Sequence, residues 1–349
     1  MNASGNTLST CSDTKGSRYR HIGDLTGEPP TREFTEISIP VPWGYLVGKW
    51  YGPQEIQPIL GLHGWQDNAG SFDLLVPLLP PHVAFLSVDL PGHGLSSRLP
   101  DGCYYNSIDN IYLIRVIMKK YKWEKLYMIG HSMSSIIGFV FAALYPNEMG
   151  MLIGLDALKP HQRAPHKMLR SLETRMIGFI EEDERNRSKD EPPAYTYNEL
   201  IERVHFGSFQ SLNQDVCKFM MARNIQKSLK YPDKYYFTRD RRLKFYNYTI
   251  GSQELCNEMA KRITCPYLFI KGRQSIYFED KKYYDETINV LRAKKNFEYF
   301  ECDGTHHLHM NNPENIIDPI VDFIEKYGPR QRVEIKERHI AIIEKQSKL

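Results

Sequence analysis

Residues 126–145 read LYMIGHSMSSIIGFVFAALY and carry the strongest local signal in this chain. An apolar run of strand length reaches Gly130 and is followed, after Ser132, by small and apolar residues at helix length. The pattern predicts a buried strand, a sharp turn at Ser132 and a buried helix. Strand and helix backbones nearly touch at such a turn, so the residues that flank it must be small. Gly130 meets this demand on one side, and Ser134 is the small residue on the other.

Length and composition limit the classes of protein that fit. The 349 residues suffice for one large α/β domain with an insertion or for two ordinary domains. The 45 basic and 42 acidic side chains leave a formal net charge of +3, which argues against a nucleic-acid partner. No run approaches the about 18 apolar residues of a membrane span, so we expect a soluble protein.

The cysteines are scattered and include no C-x-x-C pair, which argues against a zinc site and against a disulfide framework. They are Cys11, Cys103, Cys217, Cys256, Cys265 and Cys302. We expect a reducing compartment, no metal and no cofactor.

The N-terminal third predicts a leader and the first strands of a sheet. Residues 1–32 are rich in Ser, Thr, Gly and Asn and contain no signal-peptide core, so we expect a disordered leader. Residues 34–51 alternate apolar and polar side chains around a Pro-Trp-Gly turn, which predicts a β-hairpin. Residues 58–62 and 83–88 predict buried strands, and residues 108–120 have the apolar spacing of a helix.

The regular alternation of strands and helices is interrupted in the middle of the chain. A strand at 151–155 ends in Asp156, and residues 158–259 then show no alternation of strands and helices. We interpret them as an inserted, mainly helical cap over the active site. The core would comprise residues 33–157 and 260–328, followed by a charged tail at 329–349.

The alternation resumes after the insertion. Strands are predicted at 265–270 and 297–300, with a helix at 281–293 between them. A loop that contains Gly-Thr-His-His-Leu-His-Met follows the last strand, and an amphipathic helix at 313–327 begins with proline.

Beyond this pattern, the motifs resemble those of a known family. They are VPWGYLVGKWYG, LHGWQDNAGSFDLLVPLLP, DLPGHGLSS and THHLHMNNPE, arranged around GHS. Together they resemble the serine hydrolase-like proteins of animals, including the kraken-like members, within the α/β-hydrolase fold superfamily. The resemblance covers about residues 34–327 and is strongest in the N-terminal half. It implies an α/β fold with a mostly parallel, doubly wound sheet and an inserted helical cap.

The resemblance also implies the site residues. Ser132 would be the nucleophile, because it stands at the turn that α/β-hydrolases use as the nucleophile elbow. The backbone N–H groups of Trp65 and Met133 would form the oxyanion hole, which stabilises negative charge on the substrate oxygen. Serine needs a base, and His306 is our choice because it lies seven residues before Pro313, as in the family's loop.

Two neighbouring histidines remain in the same loop. His309 would pack or form a hydrogen bond within it, and His307 is the second choice for the base.

The acid of the triad is open at this point. The position that usually carries it, about three residues after a glycine, holds Ser275 in this chain. Asp156 is our choice, because some members of the fold take their acid from the end of the preceding strand. Glu279 and Asp280 are the alternatives.

A serine nucleophile predicts acyl transfer, and we expect hydrolysis of carboxylic ester or thioester bonds of a small, lipid-derived acyl substrate through an acyl-enzyme. Carbon–carbon bond hydrolysis is a minor alternative. A different class is a weak or inactive relative that binds a lipid or a partner. It is suggested by the missing acid and by Ser134, which stands where the G-x-S-x-G pattern of the nucleophile elbow has its second glycine.

The chain ends in Ser347, Lys348 and Leu349, which match the peroxisomal import signal. We expect the import receptor as a partner and the peroxisome as the location, or the cytoplasm if the signal is masked.

Overall fold

The computed structural model describes residues 9–10, 31–188, 190–245 and 251–329. Most of the predicted leader and of the charged tail, including Ser347, Lys348 and Leu349, lies outside these residues. Within the predicted leader, the backbones of Ser9 and Thr10 pair in parallel with the last strand along the chain.

Eleven strands form within the described residues, nine of them in one sheet. They are β1 (Ser9–Thr10), β2 (Phe34–Val41), β3 (Gly44–Tyr51), β4 (Ile59–Leu62), β5 (Phe85–Val88), β6 (Leu126–His131), β7 (Met149–Leu155), β8 (Ile225–Lys227), β9 (Tyr235–Phe237), β10 (Tyr267–Gly272) and β11 (Phe297–Cys302). The helices are α1 (Ser107–Tyr121), α2 (Met133–Leu144), α3 (Pro165–Arg187), α4 (Tyr197–Gly207), α5 (Cys217–Met221), α6 (Gln253–Arg262), α7 (Lys281–Arg292), α8 (Leu308–Asn311) and α9 (Ile317–Tyr327).

The sheet runs β1-β11-β10-β7-β6-β4-β5-β3-β2. All pairs are parallel except β2 with β3 and β3 with β5. The antiparallel edge is the predicted hairpin, whereas β4, β6, β7 and β10 are apolar runs buried on both faces, as central parallel strands are. Because parallel strands end at the same edge of a sheet, the ends of β6, β7 and β10 lie side by side.

Two apolar clusters lie on the two faces of the sheet. Helices α1, α2 and α7 contribute to one cluster, and α9 with two 3₁₀ helices contributes to the other. The small residues of α2 allow close packing: a Cβ on Gly138 would lie 2.6 Å from a methyl of Leu152 in β7. The predicted doubly wound architecture is present.

The segment between β7 and β10 differs in two details from the prediction. It contains a short antiparallel hairpin, β8 with β9, in addition to helices. The three-residue strands are too short to give a periodic signal. Helix α6 packs on α2 and α7, and the predicted boundary at 259/260 falls inside this helix.

The last helix begins later than predicted. Pro313 starts a 3₁₀ turn, Pro313–Asn315, and α9 starts only at Ile317. The turn is closed by a bond from Ile316 N–H to the Pro313 carbonyl, an i to i+3 contact that is common at helix N-termini. None of the helices that the structure describes is long and apolar enough to cross a bilayer.

Candidate active site

Ser132 stands at the junction of β6 and α2 in a strained conformation. Its φ is 51° and its ψ is −115°, which costs a residue other than glycine roughly 1–3 kcal/mol. A Cβ on Gly130 would lie 2.5 Å from the Ser134 carbonyl oxygen, so no larger residue fits there. The serine is therefore held at the carboxyl end of the sheet by the packing of strand against helix.

Ser132, His306 and Asp156 form a continuous hydrogen-bonded chain. The Ser132 Oγ lies 2.8 Å from His306 Nε2, and His306 Nδ1 lies 2.6 Å from Asp156 Oδ2. Because a carboxylate accepts, Nδ1 carries the proton and Nε2 is free to accept the Ser132 proton. The structure brings together the three residues chosen from the sequence, in the geometry of a nucleophile, a base and an orienting acid.

Asp156 is fixed by the neighbouring strand β10. Its backbone N–H donates to Ile270, and its φ of 61° turns the chain sharply after β7. The Lys271 ammonium and the Gly272 N–H each donate to Oδ1 at 2.9 Å. Ser275, which occupies the usual position of the acid, donates its hydroxyl to Oδ2. That position thus orients the carboxylate of Asp156 instead of supplying one.

The two alternative acids are engaged elsewhere. Glu279 accepts from the Lys159 ammonium at 2.6 Å and from the Gln162 N–H at 2.8 Å. Asp280 is exposed and accepts from the Lys282 N–H at the start of α7.

Burial and pairing set the charges of the triad. Burial lowers the pKa of His306 to about 4, although its hydrogen bond with Asp156 acts in the opposite direction. Burial would raise the pKa of Asp156, but the hydrogen bond to His306 and the charges of His306 and Lys271 lower it below its ordinary value. At neutral pH the imidazole is uncharged and the carboxylate is ionised, as a general base and its acid partner require.

The two expected oxyanion donors border the same cavity as Ser132. Met133 is the first residue of α2, so its backbone N–H has no acceptor within the helix. Trp65 follows β4, and its indole N–H donates to the Leu243 carbonyl at 2.7 Å, which fixes the loop against the inserted segment.

Ser134 has a role that the sequence did not reveal. Its hydroxyl donates to the carbonyl of His63 at 2.5 Å, and both residues are fully buried. The bond joins the serine turn to the loop that carries Trp65. A glycine at this position could not form it, so the departure from the G-x-S-x-G pattern adds a connection between the two halves of the site.

Comparisons with known proteins agree with this geometry. A family model described as alpha/beta hydrolase fold matches residues 57–313. A Drosophila melanogaster protein named "Probable serine hydrolase" is 37% identical over 306 residues, which are 86% of this chain and 90% of that protein. A Danio rerio "Serine hydrolase-like protein" is 30% identical over 315 residues, 90% of this chain and 95% of that protein. The chain belongs to the α/β-hydrolase family.

Solved structures show the same fold at lower identity. A hypothetical protein from Pseudomonas aeruginosa PAO1 superposes on this α/β-hydrolase with a TM-score of 0.69 and 22% identity, covering 84% of this chain and 99% of the other. The thioesterase domain from the curacin biosynthetic pathway has a TM-score of 0.66 and 17% identity, with the same coverage. The fold class and the resemblance to animal serine hydrolase-like proteins are confirmed.

A buried histidine cluster lies behind the triad of this hydrolase. His131 Nε2 is 3.0 Å from the backbone carbonyl oxygen of His306, and His131 Nδ1 is 3.0 Å from Asp67 Oδ2. His307 bonds to the Ser211 hydroxyl at 2.8 Å and approaches Asp67 Oδ1 at 3.5 Å. His131 therefore supports the backbone of His306, and both ring nitrogens of His307 contact residues other than Ser132.

The cluster is also the group of described residues most suited to hold a metal ion. Ligand atoms of Asp67, His131 and His307 all lie within 4.8 Å of one another. Their mutual hydrogen bonds account for this proximity without an ion. The ring centroid of His309 lies 4.2 Å from that of His131 and 5.6 Å from that of Phe72. His309 therefore packs within the loop region, as expected from the sequence.

A cavity of about 470 Å³ opens above Ser132 and His306. Residues of the inserted segment form much of its wall, including Met168, Leu172 and Phe209. This volume is within the roughly 300–1,000 Å³ of small-molecule sites.

Proposed function

We propose that this chain is a serine hydrolase that cleaves carboxylic ester or thioester bonds through an acyl-enzyme. The observation that carries the proposal is the chain of hydrogen bonds from Ser132 through His306 to Asp156, with contacts of 2.8 and 2.6 Å. Haloalkane dehalogenases and epoxide hydrolases of this fold use an aspartate at the turn, whereas the serine here favours acyl transfer.

The reaction follows from the geometry. His306 Nε2 takes the proton of Ser132 as Oγ attacks the carbonyl carbon, and the N–H groups of Trp65 and Met133 stabilise the oxyanion. The imidazolium, balanced by Asp156, then protonates the leaving alcohol or thiol, and the acyl group stays on Oγ. Water attacks the acyl-enzyme, gives its proton to His306 and releases the carboxylic acid as Oγ regains a proton.

The wall of the cavity supports a substrate with an acyl chain. Met168, Leu172 and Phe209 provide apolar surface in the cavity that also contains Ser132, and burying each methylene of a chain against such surface contributes about 0.8 kcal/mol. A small, lipid-derived acyl group fits this environment.

The alternative of an inactive, lipid-binding relative rested on the missing acid and on Ser134. Asp156 bonds to His306, and Ser134 connects the turn to the Trp65 loop. Both contacts favour the enzyme.

The test is hydrolysis of 4-nitrophenyl hexanoate and of a hexanoyl thioester by the parent protein, Ser132→Ala and Ser171→Ala. Ser171 lines the same cavity and provides the matched control. We expect a loss of roughly 10⁴-fold or more in kcat for Ser132→Ala and less than threefold for Ser171→Ala. Equal activity of folded parent and Ser132→Ala would overturn the proposal.

A further inference from the structure

The charges around the cavity are strongly unequal. Five basic side chains line it, and among the described lining residues Asp67 is the only carboxylate. The basic residues are Arg163, Arg175, Arg203, Arg239 and Lys244. Asp67 already accepts bonds from the Gly64 N–H and from His131. The inner surface of the cavity is therefore positive, although the whole chain is nearly neutral.

The hairpin of β8 and β9 directs two residues to this surface. Ile225 pairs with Phe237, and one step further the Thr238 N–H donates to the Asn224 carbonyl at 2.9 Å. Asn224 and Arg239 thus lie at the same end of the hairpin, and both line the cavity.

Arg239 is one of the cations of this cavity to which the described residues supply no ion pair. Its guanidinium stacks on the Phe237 ring, 4.6 Å from the centroid, and forms no ion pair or hydrogen bond within the described part of the chain. By contrast, Lys244 pairs with Glu182 at 3.0 Å. Burial lowers the pKa of Arg239 to about 10, partly opposed by the charge of Asp67, so the side chain is still protonated at neutral pH. A half-buried cation that forms no ion pair is better compensated when a ligand supplies the anion.

Asn224 is the second, independent sign of a ligand. It is 2% exposed, and its Oδ1 has no hydrogen-bond partner among the described residues. Buried carboxamides are normally bonded, so an unpartnered acceptor at a cavity wall indicates that a ligand with a donor completes it, and only the N–H groups of Asn224 can face an anion. Its amide N–H groups suit a carboxylate or a phosphate, as does the planar fork of Arg239.

We infer that Arg239 and Asn224 form a subsite for an anionic group, a carboxylate or a phosphate, on the substrate that is cleaved at Ser132. The inference rests on the proposed function and adds the chemical class of the substrate to it. The anion can belong to the acyl part, as in the monoester of a dicarboxylic acid, or to the leaving group, as in a phosphate-bearing thioester. In both cases the Arg239 guanidinium binds one negative group of the substrate while the scissile carbonyl of the same substrate lies at Ser132.

Two matched pairs of substrates test the subsite and distinguish these sources. The first pair is the 4-nitrophenyl monoester of adipic acid and 4-nitrophenyl hexanoate, which differ by the terminal carboxylate. The second pair is hexanoyl-coenzyme A and hexanoyl-N-acetylcysteamine, whose leaving group lacks the phosphates together with the pantoyl, β-alanine and adenosine parts. The readout is the ratio of kcat/KM for the anionic member to that for the neutral member.

We expect the anionic member to be preferred in at least one pair. Arg239→Met should lower that ratio by roughly 10- to 100-fold, the value of a charge-assisted bond, and leave the neutral substrate nearly unchanged. Asn224→Asp, which places a negative charge at the wall of the cavity, should lower the ratio as well. Arg239→Lys should retain part of it, and Arg262→Met, an exposed arginine of α6, should retain all of it. If Arg239→Met lowers the ratio in the adipate pair, the anion belongs to the acyl part. If it lowers the ratio in the coenzyme A pair, the anion belongs to the leaving group.

A binding experiment separates this inference from the proposed function. Calorimetric titration of Ser132→Ala with adipate, coenzyme A and hexanol needs no turnover. Binding of one anion that weakens about tenfold or more in the Ser132→Ala, Arg239→Met double variant supports the subsite even if the parent hydrolyses no ester. Hydrolysis of neutral esters with no anion preference and no anion binding would overturn the subsite and leave the hydrolase intact.

Discussion

Replacement of Asp156 by asparagine should move one proton, the one that the His306 imidazole carries. Lys271 and the Gly272 N–H both donate to Oδ1 at 2.9 Å, so the single oxygen of asparagine must stay there. The amide nitrogen then faces His306 Nδ1, which is 2.6 Å from Asp156 Oδ2 in the parent. Since an amide donates, the imidazole must carry its proton on Nε2, where it can no longer accept the Ser132 proton.

The expected losses of activity and stability follow from the wrong tautomer of His306 and from the lost negative charge of Asp156. We expect kcat to fall about 10⁴-fold, equivalent to roughly 5.5 kcal/mol in the barrier. The free energy of unfolding should fall by about 3 kcal/mol, because Lys271 is buried and loses its counter-charge.

The assay is hydrolysis of 4-nitrophenyl hexanoate near pH 7, with urea unfolding to show that each variant is folded. Asp280→Asn makes the same chemical change at an exposed carboxylate and should keep full activity. Ser275→Ala removes only a hydroxyl donor to Asp156 and should cost less than about tenfold. A folded Asp156→Asn protein within tenfold of the parent would refute the assignment of the acid.

Two further predictions concern pH and the serine turn. Because burial lowers the pKa of His306 from 6.5 to about 4, and only the neutral imidazole accepts a proton, kcat/KM should stay level from pH 8 to about 5 and halve near pH 4. An inflection near 6.5 in the pH profile would contradict the burial of this histidine. Ser134→Ala removes the bond to His63 and should lower the free energy of unfolding by about 1 kcal/mol and kcat by a few-fold, measured by urea unfolding and ester hydrolysis. Ser71→Ala removes a buried hydroxyl that has no partner among the described residues and should change neither, so equal effects of the two substitutions would argue against the role of Ser134.

The nucleophile and the base could be found from local sequence. The turn at Ser132 needs a small residue at Gly130 and a strand and helix on either side, and all three are visible within 20 residues. His306 was identifiable because its distance from Pro313 follows the family's loop, even though the helix itself starts at Ile317.

The acid could not be settled in this way. Asp156 reaches His306 because β7 lies between β6 and β10 in the sheet, and sheet order is a long-range property that local periodicity does not encode. Ser275 occupied the expected position, and only the packed structure shows that it bonds to the acid.

The inserted segment was the least predictable part. Strands β8 and β9 have three residues each, and their pairing depends on contacts with Tyr195 and on the turn between them. Arg239 and Asn224 were therefore not among the residues singled out from the sequence, because nothing local distinguishes them from surface residues. Both lie just beyond the paired residues, at the end of the hairpin where the Thr238 N–H donates to the Asn224 carbonyl.

The most direct test of the central claim, an activated Ser132, is labelling of the purified protein with a fluorophosphonate probe followed by peptide mapping. The account predicts one label per chain, located on Ser132, abolished in Ser132→Ala and strongly slowed in Asp156→Asn. A folded protein that takes up no label, or that is labelled equally after Ser132→Ala, would contradict it.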